Sequence, residues 1–501
     1  MTTSHYAEFE RATRQYHLLG SIESLLDWDQ ETCMPPRGVE QRAEQLALVA
    51  GLAHERLTGD EFATALGKAE RNGRVDEWAS ATNLREMRRR MERARRLPTE
   101  LVRETAKVSS LAKQAWARAR RESRFELFAP PLERLLELKR RAAELIGFEG
   151  EPYDALLDEY EPGARSAEVA AVFDELKKAL VPLAAAIAKA PRKPDVALLS
   201  RYCPKESQAE FCRRVAAALG FDFQSGRMDV SMHPFCSGTC PHDVRITTRY
   251  DERFLPAALF GTMHEVGHAL YEQGLDAAHA GTPAGQSVSL GIHESQSRMW
   301  ENFVGRSRPF WEHWFGPLTQ QFTSLAEVRL DDWVLAINNV RPSLIRVEAD
   351  EVTYGLHIML RFDLERRLMT GKLAVRDIPQ AWNDGMRSLL GITPDSDANG
   401  CLQDIHWSMG AVGYFPTYAL GNLYAAQFFE AARAAMPDLD DHFRRGSYAP
   451  LLEWLRRNIH RHGMRHRAAE LVQAVTGRPL SAEPFVRYLR AKFEPLYGIN
   501  A

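Results

Sequence analysis

Residues 257–274 read AALFGTMHEVGHALYEQG, and this segment constrains the chain more than any other. Pro256 before it suits a first helical turn and Gly274 suits a C-terminal cap, so the segment predicts one helix. Inside it lies His264-Glu265-Val266-Gly267-His268. Four residues of helix advance about 6 Å and overshoot one full turn by about 40°, so both imidazoles leave the same face. Two neutral imidazole nitrogens at that spacing can meet one Zn²⁺ at about 2.0–2.1 Å. Glu265 then stands beside them as general base for an activated water. With 16 His and 67 acidic residues in 501, chance supplies only about 0.04 such motifs per chain.

A catalytic ion needs a third ligand. A Gly and a His three and six residues past the second His would mark the metzincin arrangement, but Tyr271 and Gly274 stand at those places. Glu272 is one turn beyond His268, too far along the same axis to close the site. A second helix has to return, and IHESQSRMWENFVGR at 292–306 suits its beginning. Glu294, its first acid, follows His268 by 26 residues, enough for helix, loop and return. His293 is the rival, but neighbours on a helix diverge by about 100°, so only one faces the ion. Glu301, two turns on, suits a salt bridge. The reading is His264, His268 and Glu294 with one coordination position open, the arrangement of a catalytic rather than a structural zinc.

Around this motif the chain reads as mainly α with minor β content. Apolar residues recur three and four apart over 4–26 and 38–57. Residues 77–97 carry a basic face of Arg85, Arg88, Arg89, Arg90, Arg93, Arg95 and Arg96, interrupted by Glu86 and Glu92. That face suits solvent or a cleft for an acidic ligand better than nucleic acid. The best strand signal is DVRITTRY at 243–250, and 160–166, 236–242, 279–291 and 393–400 read as loops. Neither an internal repeat nor a clean linker is visible, so residues 1–501 are expected to form a single unit around one deep cleft. The net charge of −3 speaks against a dedicated nucleic-acid binder. The lack of a long apolar run speaks against a membrane protein. A polar amino terminus and six sparse cysteines point to the cytoplasm.

The chain resembles the carboxypeptidase Taq family of metallocarboxypeptidases over nearly its whole length. The residues that carry the resemblance are His264-Glu265-x-x-His268 with His293-Glu294-Ser295-Gln296, and around them His233-Pro234-Phe235 and Asp243-x-Arg245-x-Thr247. Further along stand Ile345-Arg346-x-x-Ala349-Asp350 and Gly400-x-x-Gln403-Asp404-x-His406-Trp407, running into GYFPTYALG at 413–421. LDWDQETCMPPRG at 26–38 and YDALLDEYEPG at 153–163 are similar to the family as well. The resemblance implies a helical, gluzincin-like peptidase that releases single residues from peptide carboxyl termini with broad specificity. It also implies a homodimer, and Zn²⁺ or sometimes Co²⁺ as cofactor. His233, Cys236, Cys240 and His242 could be read as a second metal cluster, but the cramped spacing and the likeness argue against it.

Peptide hydrolysis also needs oxyanion stabilisation, and an exopeptidase must hold a free α-carboxylate. His406, Tyr414 and Tyr418 are candidates for the first task, as neutral donors that strengthen their bonds when charge develops. Arg245 and Arg346 are candidates for the second, because a guanidinium fork can make two charge-assisted bonds to one carboxylate. Their alternative is a structural ion pair with Asp243 or Asp350. Asp404 and Glu301 read as residues that orient others, and Trp300, Trp407 and Phe415 as core. Two rivals stay open: an oligopeptidase cutting internally, which needs no carboxylate anchor, and a silent peptide-binding scaffold, against which the intact Glu265 argues.

Overall fold

The computed structural model describes residues 5–72 and 77–500. Helices make up most of it, as the periodicity predicts. The first, His5–Thr32, runs past the expected end at Leu26 and stops where Pro35 and Pro36 forbid another turn. Val39–Thr58, Asp60–Asn72 and Trp78–Arg96 pack with it around a small core of Phe9, Phe62, Leu66 and Met87. A much larger apolar core runs through the helices from Thr99–Glu122 to Glu483–Tyr497. Trp300, Trp407 and Phe415 belong to it, as expected. Among the described residues no helix is long and apolar enough to cross a membrane.

One small sheet interrupts the helices, with strands β1 (Gly226–Val230), β2 (Cys236–Cys240) and β3 (Asp243–Thr248) in the order β1-β3-β2. β1 runs parallel to β3, with Arg227 opposite Arg245. β2 runs antiparallel to β3, pairing Cys236 with Ile246. The expected strand is thus β3, while most of the expected loop at 236–242 is a strand. CSGTC has no alternating pattern of its own, and its extended backbone is secured by hydrogen bonds to β3. The guanidinium groups of Arg227 and Arg245 lie over the Trp28 ring, at 4.8 and 4.6 Å, and tie the first helix to the sheet.

The sheet carries the motif helix, Leu255–Glu272. Val244 and Ile246 are fully buried, and Thr262 donates its hydroxyl to Thr248 at 3.2 Å. The motif helix packs in turn on Leu290–Arg298, which is also flanked by the long helix Pro416–Ala435. Glycines permit both approaches. A Cβ on Gly267 would stand 2.6 Å from the Gln296 carbonyl oxygen, and one on Gly421 would stand 2.6 Å from Glu294 Cγ. The helix bearing Glu294 is therefore held between two backbones.

Candidate active site

His264 and His268 leave one face of the motif helix and meet Glu294 from the neighbouring helix. The Nε2 atoms of the two imidazoles lie 3.6 and 3.4 Å from the same oxygen, Glu294 Oε2. Among the described residues, this is the one trio of His, Cys, Asp or Glu whose donor atoms all fall within 4.8 Å of one another. The suggested second cluster does not form. Cys236 and Cys240 lie on β2, while His233 and His242 are exposed.

The hydrogen bonds behind the trio suit it to a metal ion. His264 Nδ1 lies 2.9 Å from Glu301 Oε2, a pure acceptor when ionised, so that nitrogen carries the proton and Nε2 keeps its lone pair. At His268 the chain of hydrogen bonds is one link longer. His293 Nε2 lies 2.8 Å from Glu272 Oε1 and donates to it, and in that tautomer Nδ1 is an acceptor. His268 Nδ1, 2.5 Å away, is then the donor, and its Nε2 is free. Glu294 turns its other oxygen to Arg298 Nε at 2.7 Å. Burial opposes charge on His264, but Glu294 and Glu301 raise it above its ordinary value, so it gives up a proton when its Nε2 joins His268 and Glu294 in presenting lone pairs to a common point.

Electrostatics sharpens this arrangement. Burial opposes charge on Glu294, yet Arg298 and His264 hold its carboxyl well below the usual range. Burial also opposes charge on Glu301, but its bond to His264 and the guanidinium of Arg298 bring it down to about 2. His268 is driven down to about 3 by burial, with His293 adding to it, so it is neutral at physiological pH. Glu265 points from the same helix and is 6% exposed. Burial raises its carboxyl to about 7, with the charges of Glu294 and Glu301 contributing. A base titrating there is matched to proton transfer near neutrality.

The other singled-out residues form a second group. Asp404 lies between two arginines, Arg346 Nη2 at 2.8 Å and Arg361 Nη2 at 2.5 Å. Gln403 Oε1 accepts from Arg361 and from the Arg346 backbone, both at 2.8 Å. Two guanidinium groups against one carboxylate leave a positive charge in excess. Asp350 is not the partner of Arg346; it accepts from the Thr353 hydroxyl and from the backbone amides of Val352, Thr353 and Arg341. His406, Tyr414 and Tyr418 cluster beside this pair, with Tyr418 Oη 3.4 Å from His406 Nε2 and the two tyrosine rings 5.4 Å apart. Burial lowers His406 to about 4 and raises both tyrosines, so all three are neutral hydrogen donors at physiological pH. Arg245 lies on β3 instead, where its fork is filled by Asp243 at 2.8 and 3.0 Å.

Tyr354 joins the two groups. Its hydroxyl accepts from Arg346 Nη1 at 2.9 Å, and Arg298 lies over its ring at 4.6 Å. Sequence reasoning did not single out Tyr354, Arg361 or Arg298. Only Arg298 had a readable signal, standing four residues after Glu294 on a predicted helix.

The sequence profile of the carboxypeptidase Taq (M32) metallopeptidases matches residues 8–493. The chain belongs to this family. Thermostable carboxypeptidase 1 of Thermus thermophilus is 47% identical over 98% of both chains. Carboxypeptidase 1 of Bacillus subtilis is 38% identical over 95% of each. Among solved structures, the M32 carboxypeptidase of Deinococcus radiodurans superposes with a TM-score of 0.96 at 43% identity, covering 99% of this chain and all of that one. The Pyrococcus furiosus carboxypeptidase gives 0.95 at 38% identity, covering 98% and 99%. The chain is therefore a mainly α-helical peptide hydrolase of a carboxypeptidase family, and membership in a metallopeptidase family implies a metal.

Proposed function

We propose that the chain releases single amino acids from peptide carboxyl termini with broad specificity, using Zn²⁺ held by His264, His268 and Glu294. When bound, the ion supplies Lewis-acid chemistry, acidifying water and polarising the scissile carbonyl. Glu265 takes the water proton and hands it to the departing amine. His406, Tyr414 and Tyr418 offer neutral donors to the oxyanion. Arg346 binds the substrate α-carboxylate, and Arg361 with Asp404 keeps its guanidinium in place. Arg245 shares that task; it is paired with Asp243 as Arg346 is with Asp404, but it lies on β3, away from the Tyr354 link to the trio.

The observation that carries this reading is the pairing of a metal-competent trio with a charge excess at Arg346 and Arg361, linked through Tyr354. An enzyme cutting internally has no need of the second half. The reading further takes residues 1–501 as one functional unit, acting as a cytoplasmic homodimer with Co²⁺ as an alternative ion. The homodimer and Co²⁺ rest on the family resemblance, the cytoplasmic location on the polar amino terminus and sparse cysteines, and the single unit on the lack of a clean linker.

Metal analysis with mass spectrometry of a timed peptide digest tests the proposal. A ladder shortened from the carboxyl end is expected, with amidated peptides left intact. Glu265→Gln should retain the metal and lose peptide hydrolysis. Full turnover by that variant would refute its role as base, and internal fragments would favour the oligopeptidase.

A further inference from the structure

The basic face of the helix Trp78–Arg96 borders a cavity that the proposed chemistry leaves unused. That helix, Ala129–Ile146, Tyr160 and the segment from Ser287 to Leu290 line an open cavity of about 550 Å³. Several arginines of the face are engaged elsewhere: Arg88 with Glu70, Arg95 with the Thr58 carbonyl, Arg96 with the Ile146 carbonyl. Arg89 and Arg93 line the cavity but carry carboxylates of their own, Asp158 at 2.8 Å and Glu159 at 3.2 Å. Arg90 and Lys139 are different. Arg90 has the amide oxygen of Gln286 at 2.8 Å and the Met464 sulfur at 3.3 Å, with no carboxylate in the set. Lys139 lines the same space and makes no hydrogen bond or ion pair among the described residues.

Arg89, Arg90, Arg93 and Lys139 face Glu159 alone among the lining carboxylates, and Glu159 is paired with Arg93, so the half-buried cavity wall carries positive charge in excess and suits an anion. Burial depresses the Lys139 ammonium below its ordinary pKa, while Glu159 counters this and Arg93 adds to it. The cavity also adjoins the reacting centre. The Tyr160 ring packs on Tyr414 at 5.2 Å, and Leu290 stands one helical turn before Glu294. The Lys139 stem lies 3.0 Å from where a Cβ on Gly410, in the turn after His406, would stand.

We propose that this cavity is a substrate subsite for a carboxylate side chain of the bound peptide, with Lys139 and Arg90 as its specificity-determining cations. The proposal rests on the carboxypeptidase reading and adds to it a preference for acidic peptides. A carboxylate entering the cavity would gain charge-assisted hydrogen bonds from groups that have none to a carboxylate.

Two measurements test it. Peptides of one sequence, with Glu or Gln placed in turn at each of the last several positions, are digested by the metal-loaded wild type, Lys139→Met and Lys139→Arg. At one position the wild type should favour Glu over Gln by about tenfold in kcat/KM, the size of a charged hydrogen bond. The ratio should fall close to one in Lys139→Met and survive in Lys139→Arg. Calorimetric titration of the same proteins with amidated tetraglutamate, amidated tetraglutamine and inorganic phosphate needs no turnover. Tetraglutamate should bind best, and about tenfold more weakly to Lys139→Met. Equal handling of Glu and Gln by the wild type in both experiments would overturn the subsite. So would tight phosphate binding without a Glu preference, which would mark a site for free anions. Preferential tetraglutamate binding with no ladder from any peptide would refute the carboxypeptidase reading and leave the subsite standing.

Discussion

Replacing Gly267 by alanine tests whether the metal centre is set by the separation of two helices. The added Cβ would stand 2.6 Å from the Gln296 carbonyl oxygen and 2.6 Å from Ser297 Cα, about 0.8 Å inside the 3.4 Å at which ordinary contact begins. Both obstacles are backbone atoms, so no side-chain rotation relieves them. The helix Leu290–Arg298 must move as a body, taking Glu294 with it. A shift of about 0.8 Å is some four times the roughly 0.2 Å tolerance of metal–ligand distances. We expect metal affinity to fall about 100-fold, and kcat/KM on a free-carboxylate peptide by a similar factor. Fold stability should change far less. Alanine in a helix gains about 1 kcal/mol over glycine, which offsets part of the 1–3 kcal/mol or so that overpacking costs. Chelator competition gives the affinity, and thermal unfolding of the metal-free protein gives the stability. A folded Gly267→Ala protein with wild-type affinity would refute the reasoning.

Other consequences are accessible to single variants. Glu301→Gln removes the ionised acceptor at His264 Nδ1 and should weaken metal binding about 10–100-fold in equilibrium dialysis; unchanged affinity would deny Glu301 its orienting role. Arg346→Ala should cut kcat/KM on free-carboxylate peptides about 10–100-fold, and a variant as fast as wild type would exclude the anchor. Glu161, which accepts from Ser289, Tyr424 and the Gly291 amide, is raised by burial from its ordinary 4.5 to about 7. The folded state holds that proton more tightly, so its stabilising contribution is full below pH 4.5 and is lost as pH rises through 7. In Glu161→Gln this decline should vanish, read as urea midpoints at pH 5 and pH 8; an identical pH slope in both proteins would refute the assignment.

The trio was legible because a helix turns spacing into direction. His264 and His268 had to share a face, and Glu294 followed from the length of chain needed to return. The alternatives were harder to separate by the same rule. His293 does face the site, but as a hydrogen-bond partner of His268 rather than as a member of the trio, a distinction that depends on where Glu272 sits. Arg361 and Tyr354 carried no local signal, since their roles arise where a buried helix meets the turn at Asp404. The partner of Arg346 was out of reach for the same reason: Asp350 is nearer in sequence, Asp404 in space. β2 was missed because its extended form comes from a neighbouring strand. After Arg298 the chain takes a π-helical turn over Met299–Val304, which no residue type in MWENFV announces, and which brings Glu301 under His264.

The helix bearing Glu294 is wedged between two glycine-lined backbones, and its carboxylate is already tied to Arg298. The cage is thus shaped by contacts that persist when the ion leaves. Fold and cofactor should therefore be separable here, unlike in a zinc finger, where losing the ion unravels the chain. A chelator should strip the protein to an idle but intact mould, open to refilling.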